Sequence, residues 1–272
     1  LNKDDFDGQV RLIGDSHAHA LWYDLKNQLT ELNIPLTYFP TPIYVNNFTR
    51  KNRINNKKIH DFEINNNKIR NQILNNKDLT IILNLRYTLQ FTEKYFVNSE
   101  GYRECDWDNC NGEELVEIIE PNDVKAKSYN ERLNLLKIGF ISALNEITSL
   151  GHKIIIIYPV PEMGFNIPKI ALKKYILNKL LFKDESFTLS VSYDEYIRRN
   201  KLSFDILNQI KDDNIYRVFP HKLLCNNKID GRCIANDKNQ LLYYDDDHLS
   251  IWGSKIINNE IINILSEIKE LK

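Results

Sequence analysis

The chain has 272 residues, enough for one large α/β domain with a buried core or for two small ones. Of these residues 42% are hydrophobic and 27% are charged, as is usual for a globular protein. Its 36 basic and 37 acidic side chains give a formal net charge of -1, so bulk charge does not indicate binding to nucleic acid or to a membrane surface. No apolar run approaches the roughly 18 residues that span a bilayer. Because the chain begins at Leu1 and its only Met is Met163, we expect a removed leader or a longer parent protein.

Predicted strands alternate with predicted helices. In chain order we expect a strand at 9–14, a helix from 16 to about 32, strands at 36–39 and 80–87, a helix at 130–150, strands at 153–160 and 215–219, and a last helix after 245–250. The run KIIIIYPV at 153–160 is almost continuously apolar, which is typical of a parallel strand covered by helices on both faces. This order predicts one α/β domain with a mainly parallel sheet, and chemistry beyond the carboxyl ends of its strands.

Two segments lack a clear period. Residues 46–77 are rich in Asn and Lys, and we expect a solvated insertion or loop there. Residues 98–127 are expected to form a loop excursion. Neither an internal repeat nor a domain boundary is evident, so residues 1–272 are expected to form a single domain.

The four cysteines form two close pairs, Cys105 with Cys110 and Cys225 with Cys233. Zinc sites prefer tighter spacings and often a nearby His, so local disulfides in an oxidising compartment are favoured. Free thiols in a reducing compartment are the alternative.

The first motif with chemical potential is Gly14-Asp15-Ser16 at the end of the first strand. A tight turn there lifts the Ser side chain to the sheet edge and directs free backbone N–H groups of the helix start towards a nearby anion, as acyl transfer requires. Asp15 is expected to hold the turn through backbone hydrogen bonds. A plain helix cap, without catalysis, explains the same residues.

The second motif is DDDHLS at 245–250, just before the last helix. Asp245 and His248 are three residues apart, so a carboxylate can orient an imidazole that takes a proton from Ser16. A solvated acidic loop or a calcium-binding cluster would also fit the three aspartates alone. The pairing of this motif with the Gly-Asp-Ser turn favours catalysis.

GDSH at 14–17 together with DDDHLSIWG at 245–253 resembles the first and last motif blocks of the SGNH/GDSL hydrolase superfamily. YPVPEMG at 158–164 and the segment from FPHKLLC to the end of DDDHLSIWGS at 219–254 resemble one branch more closely. That branch is the periplasmic SGNH domain of acyltransferase type 3 membrane proteins, which O-acetylate lipopolysaccharide O-antigen and related glycans. The paired Cys before YYDDDHLS belong to this resemblance and support a Cys225–Cys233 disulfide.

The resemblance implies a flavodoxin-like three-layer α/β/α sandwich with Ser16 as nucleophile, His248 as base and Asp245 as its orienting carboxylate. It also implies an oxyanion hole that begins with the Ser16 backbone N–H. The chain departs from the usual pattern because it has no Gly between Gly14 and Gly101 and lacks a Gly-x-Asn-Asp block. We therefore expect Asn84 or Arg86 to supply the second oxyanion contact.

The expected function is O-acetylation of a bacterial surface polysaccharide at the periplasmic face of a membrane. The resemblance implies that this domain binds no cofactor or metal, and that a membrane acyltransferase domain, in the same or a neighbouring chain, supplies the acetyl group. The expected partners are that domain and a glycan acceptor, and the segment would be the C-terminal part of the parent protein. An esterase that removes acetyl groups from glycans, or a glycan-binding domain with a relic triad, are the alternatives.

Overall fold

A computed structural model describes residues 9–100, 113–123, 128–181 and 187–270. The strands are β1 (Val10–Gly14), β2 (Leu36–Pro40), β3 (Phe48–Asn52), β4 (Thr80–Asn84), β5 (Glu117–Pro121), β6 (Lys153–Ile157), β7 (Ser190–Ser192), β8 (Ile215–Val218), β9 (Arg232–Ile234), β10 (Asn236–Asp237) and β11 (Gln240–Leu241). The helices are α1 (Ser16–Glu31), α2 (His60–Leu74), α3 (Tyr87–Thr92), α4 (Tyr129–Ser149), α5 (Ile167–Leu180), α6 (Tyr193–Leu207), α7 (Pro220–Leu224) and α8 (Ile251–Glu270).

The central sheet has five parallel strands in the order β2-β1-β4-β6-β8. Strand β6 illustrates how the sheet is covered on both faces. Ile155 and Ile157 enter one core cluster with residues of α1 and α8, whereas Ile154 and Ile156 enter a second cluster with residues of α2 and α4. Because successive side chains point to opposite faces of a strand, a continuous apolar run is buried on both sides. The predicted α/β/α sandwich is therefore confirmed.

The third strand is shorter than the sequence pattern predicts. Strand β4 ends at Asn84, and the chain turns through Leu85 and Arg86 into helix α3, which starts at Tyr87. Leu85 and Tyr87 are nevertheless buried, so their apolar character reflects packing and not strand pairing. The turn places Arg86 at the carboxyl edge of the sheet.

Residues 46–77, predicted to be a solvated insertion or loop, contain strand β3 and helix α2 and therefore do not form a loop. Helix α2 buries Phe62, Ile69 and Ile73 in the second core cluster. A buried Asn66 lies on the same face, and its side chain accepts a hydrogen bond from the Val45 backbone N–H at 3.0 Å and donates to Thr41 Oγ1 at 3.1 Å. An Asn in a core position conceals the apolar period of the helix.

The described part of 98–127 also differs from the expected loop, since its residues 117–121 form β5. This strand pairs antiparallel with β3, so the two segments without a clear period form a small sheet of their own.

The Cys225–Cys233 disulfide is present, with the two cysteines eight residues apart. It links the residue after α7 to β9, and both cysteines are buried in the first core cluster. The second predicted pair, Cys105 with Cys110, lies outside the described residues. Within the described ranges, every helix is too short or too polar to cross a membrane.

Candidate active site

Ser16 is the first residue of α1 and follows directly from β1. Gly14 is required here, because a Cβ at this position would lie 1.8 Å from the backbone oxygen of Asn84 on the neighbouring strand. Asp15 caps the helix, as predicted: its carboxylate accepts from the His17 backbone N–H at 2.9 Å and from the Arg86 backbone N–H at 2.8 Å. The turn leaves Ser16 exposed at a helix N-terminus, where the first backbone N–H groups have no partner within the helix and the helix dipole favours an anion.

The structure brings the three predicted catalytic side chains together from opposite ends of the chain. His248 Nε2 lies 2.6 Å from Ser16 Oγ, and His248 Nδ1 lies 2.7 Å from Asp245 Oδ2. Asp245 is itself fixed, since its other oxygen accepts from the His248 backbone N–H at 2.7 Å and from the Asp247 backbone N–H at 3.0 Å. This is the hydrogen-bond order of a Ser-His-Asp catalytic triad.

A second carboxylate also contacts the imidazole. Asp247 Oδ1 lies 2.8 Å from His248 Nδ1, so this nitrogen faces two aspartates. Asp247 is only 2% exposed, and its Oδ2 lies 2.7 Å from an Arg86 guanidinium nitrogen and 3.5 Å from His17 Nε2. Burial alone would raise the pKa of Asp247, but Arg86, His17 and His248 together lower it well below its usual range. Asp247 is therefore a buried carboxylate that stays ionised.

Arg86 links Asp247 to a further buried ion pair. Its guanidinium bonds Glu162 at 2.6 to 2.8 Å, and Glu162 also accepts from Arg199 Nε at 3.0 Å. Burial acts to raise the pKa of Glu162, whereas the two arginines lower it, and the net shift is downward. The network His248–Asp247–Arg86–Glu162–Arg199 therefore extends from the imidazole into helix α6.

The two carboxylates make His248 strongly basic. Burial disfavours the imidazolium, but the hydrogen bonds to Asp245 and Asp247 and their charges outweigh it and raise the pKa of His248 to about 10. At neutral pH the imidazole is therefore mostly protonated.

Two aromatic rings flank the imidazole. The Tyr244 ring is stacked on His248, with centroids 5.3 Å apart and planes 14° from parallel, and Tyr244 is about half exposed. The buried His17 ring lies 5.0 Å away and is tilted by 45°. These contacts restrict the orientation of the imidazole that faces Ser16.

The two residues expected to complete an oxyanion hole both lie at this edge of the sheet. Asn84 ends β4, and its side-chain amide donates to the His17 carbonyl oxygen at 3.0 Å. The Arg86 guanidinium is engaged by Glu162 and Asp247, as described above. Their contribution to an oxyanion hole stays a prediction.

Within the described ranges, two groups of side chains are close enough to surround a cation. His17, Asp247 and His248 form one and Asp245, Asp246 and Asp247 the other, with ligand atoms within 4.8 Å of one another. Asp247, which belongs to both groups, already has the Arg86 guanidinium against it, and His248 of the first group contacts Ser16 and Asp245. We propose no metal role for them.

Sequence reasoning located Ser16, Asp245 and His248 but missed the function of Asp247 as a second partner of the imidazole. It also missed the ion pairs that join Arg86 to Glu162 and Arg199. The only signal for Asp247 was the third Asp of the DDD run, and spacing alone does not distinguish a buried, arginine-bound carboxylate from a solvated one.

A parallel α/β/α sandwich with a serine after the first strand and an Asp-x-x-His element before the last helix defines an SGNH-type domain. The chain belongs to the family described as "SGNH domain (fused to AT3 domains)", whose model matches residues 2–263. A comparison with curated protein sequences found no match.

Among solved structures, the chain is similar to the periplasmic domain of the lipopolysaccharide acetyltransferase of Salmonella ser. Paratyphi A. The TM-score is 0.55 at 17% sequence identity, and the match covers 96% of this chain and 84% of that chain. This likeness supports the fold.

Proposed function

We propose that the chain is the extracytoplasmic catalytic domain of an O-acetyltransferase that modifies a bacterial surface polysaccharide such as lipopolysaccharide O-antigen. The observation that carries the proposal is the unbroken contact from Ser16 Oγ through His248 to Asp245, at 2.6 and 2.7 Å. Membership of a family fused to AT3 domains supports acyl transfer over other reactions of SGNH proteins. The similar fold of a lipopolysaccharide acetyltransferase domain is consistent with a glycan acceptor.

In the first half-reaction, Ser16 Oγ attacks the acetyl carbonyl carbon of the donor while His248 Nε2 takes the serine proton. The tetrahedral intermediate collapses, the bond to the donor breaks, and His248 returns the proton to the leaving group. The acetyl group is then an ester on Ser16. Asp245 stabilises the imidazolium that forms and holds Nε2 towards the serine.

In the second half-reaction, His248 takes the proton of a sugar hydroxyl, whose oxygen attacks the Ser16 ester. Collapse of this intermediate releases the acetylated sugar, and the proton passes from His248 back to Ser16 Oγ. In each half-reaction His248 takes one proton and then gives it up, so a single imidazole is sufficient as base and acid for both steps.

The developing oxyanion needs at least two donors. Ser16 supplies its backbone N–H at the start of α1, and we propose Asn84 or Arg86 for the second. Asn84→Ala and Arg86→Met distinguish the two, since loss of one donor lowers kcat by about 10²- to 10³-fold. An Arg86 that acts only through Asp247 would instead change the pH profile, because its charge sets the state of that carboxylate.

We further propose that the acetyl group reaches Ser16 from a membrane-embedded acyltransferase domain of the AT3 type. The SGNH domain described here would then need no cofactor of its own. In that arrangement the isolated chain lacks its natural donor, and transfer requires the two domains together.

The test is O-acetylation of surface polysaccharide in a cell that depends on this protein in its full natural form. Ser16→Ala is expected to abolish acetylation, since loss of the nucleophile of a triad costs up to about 10⁶-fold in kcat. Ser142→Ala is the matched control, because Ser142 is exposed on α4 and is not part of the site. Unchanged acetylation in the Ser16→Ala strain would rule out the proposed nucleophile.

One observation favours a second candidate, an esterase. Ser16 is exposed, so water can reach an ester formed there. Efficient hydrolysis of acetylated glycans by the isolated chain, together with normal acetylation in a strain that lacks it, would support the esterase and oppose the transferase.

A further inference from the structure

Helix α5 begins at the catalytic loop. The Ile167 backbone N–H donates to the carbonyl oxygen of Asp245 at 3.2 Å, and Met163, just before the helix, donates to the carbonyl of Asp246 at 2.8 Å. The Asn166 side chain caps the helix by accepting from the Lys169 backbone N–H at 2.8 Å. Whatever binds α5 is therefore fixed in position relative to the proposed triad.

Most of the large apolar side chains of α5 face solvent. Only Ile167 and Ala171 are fully buried. Six others, from the helix and the residue after it, are 48% to 70% exposed: Leu172, Tyr175, Ile176, Leu177, Leu180 and Leu181. A soluble surface rarely carries so many large apolar residues in one short segment, and such patches mark interaction sites.

The same segment is basic. Residues 167–181 contain Lys169, Lys173, Lys174 and Lys179 and no acidic residue, in a chain whose formal net charge is -1. The lysines are interspersed among the apolar side chains, and Lys179 Nζ lies 5.7 Å from the centre of the Tyr175 ring. Lysine stems can extend over apolar surface while their ammonium groups reach outwards.

Apolar side chains mixed with lysines, without acidic residues, match the chemistry of a bilayer surface that contains anionic lipids. The apolar groups enter the boundary between headgroups and acyl chains, and the ammonium groups bind phosphates. We propose that α5 with Leu181, the α5 surface, lies on an anionic phospholipid bilayer. This deepens the proposed function, on whose placement beside a membrane domain it rests, because it would hold the Asp245–His248 loop close to the source of the acetyl group.

The experiment is flotation of the 272-residue chain with vesicles of phosphatidylcholine alone or phosphatidylcholine mixed with phosphatidylglycerol. We expect binding to the mixed vesicles that weakens with added salt, and little binding to phosphatidylcholine alone. The variant L172S/I176S/L180S should bind at least about tenfold more weakly, because three apolar side chains no longer enter the bilayer.

The matched control is I54S/I64S/I138S, which removes three isoleucines that are 57% to 83% exposed on other parts of the surface and should bind like the wild type. Circular dichroism melting verifies that both triple variants fold. Ser16→Ala should also bind normally, so loss of catalysis and loss of lipid binding are distinguishable.

Three outcomes would overturn the inference. The first is that the folded wild type does not float with mixed vesicles. The second is that L172S/I176S/L180S binds as well as the control. The third is that the wild type self-associates in light scattering and this variant alone becomes monomeric, which would assign the α5 surface to a second copy of the chain.

Discussion

Replacing Asp247 with Asn removes one of the two carboxylates that contact the His248 imidazole. The side chain keeps its size, so the loop that holds Asp245 and His248 is expected to persist. What changes is the charge 2.8 Å from Nδ1, together with the partner of the Arg86 guanidinium. The variant therefore separates the effect of Asp247 on proton affinity from the effect of Asp245 on orientation.

The size of the effect follows from the contacts. The pKa of His248 is raised to about 10, against burial, by Asp245 and Asp247 together. Removal of one opposite charge at hydrogen-bond distance lowers such a pKa by about 1–3 units. In the wild type the neutral base is scarce at neutral pH, so the rate should rise about tenfold per pH unit until the pH approaches the pKa. In Asp247→Asn this rise should end at lower pH.

The assay has two parts. One is kcat/KM for hydrolysis of an acetyl ester by the isolated chain, measured from neutral to alkaline pH. The other is NMR titration of the His248 ring, which reports the pKa without any turnover. Asp247→Asn should shift both midpoints down together, and the maximal rate should also fall because the imidazolium formed in the reaction has lost a stabilising charge.

Two control variants sharpen the result. Asp246→Asn makes the same charge change one residue away and should move the His248 midpoint much less, since the carboxylates 2.7 and 2.8 Å from His248 Nδ1 are those of Asp245 and Asp247. Asp245→Asn should lower kcat by about 10⁴-fold, as expected for loss of the orienting carboxylate. A His248 that titrates at its ordinary value in the wild type, or identically in Asp247→Asn, would refute the role of Asp247.

The same pKa shift makes a prediction about stability. A histidine whose pKa is raised in the folded state contributes stability that is fully present below its unfolded pKa. For His248 this contribution is lost as the pH rises from about 6.5 through about 10. Denaturant unfolding should therefore show a larger decline over this window in the wild type than in Asp247→Asn, and equal declines would contradict the assignment.

Three further variants test the scaffold. Gly14→Ala should prevent normal folding or shift β1 against β4, because the new Cβ would lie 1.8 Å from the Asn84 oxygen; a soluble variant with wild-type activity would contradict this. Replacing both Cys225 and Cys233 with Ala should lower the free energy of unfolding by about 2–3 kcal/mol, as expected for a short closed loop, and urea denaturation would measure it. Phe140→Ala, in the centre of the second core cluster, should cost about 3–5 kcal/mol in the same assay, and a loss below 1 kcal/mol would mean that the site is not packed as described.

The elements that could be predicted from sequence have patterns that are local and strong. Strand β6 is a run of isoleucines buried on both faces, and α4 repeats apolar residues with helical spacing and begins with a Ser128–Glu131 capping box. Helix α2 could not be predicted in this way, because Asn66 occupies a core position and two of its hydrogen-bond partners, the Val45 backbone N–H and the Thr41 hydroxyl, lie outside the helix. The β3–β5 pair was missed because it joins polar strands that are more than 60 residues apart.

The residues of the candidate site also fall into those that could be predicted from sequence and those that could not. Ser16, Asp245 and His248 occur in two short motifs whose order and spacing suggest their chemistry. The role of Asp247 depends on Arg86, and that of Arg86 depends on Glu162 after β6, so three separate segments of the chain have to meet before either role is evident. Burial decides which of three consecutive aspartates is held by an arginine, and burial is a property of the fold.

The most direct test of the proposed chemistry is the location of the acyl group. The chain is incubated with an activated acetyl ester, quenched in acid, digested and examined by mass spectrometry. We predict one acetyl ester on Ser16. It should be absent in Ser16→Ala, and it should accumulate in a His248→Ala variant that is incubated with excess donor, because this variant lacks the base for deacylation. A wild-type protein that turns over the ester but carries acetyl on another residue, or on none while Ser16→Ala retains full activity, would contradict the account.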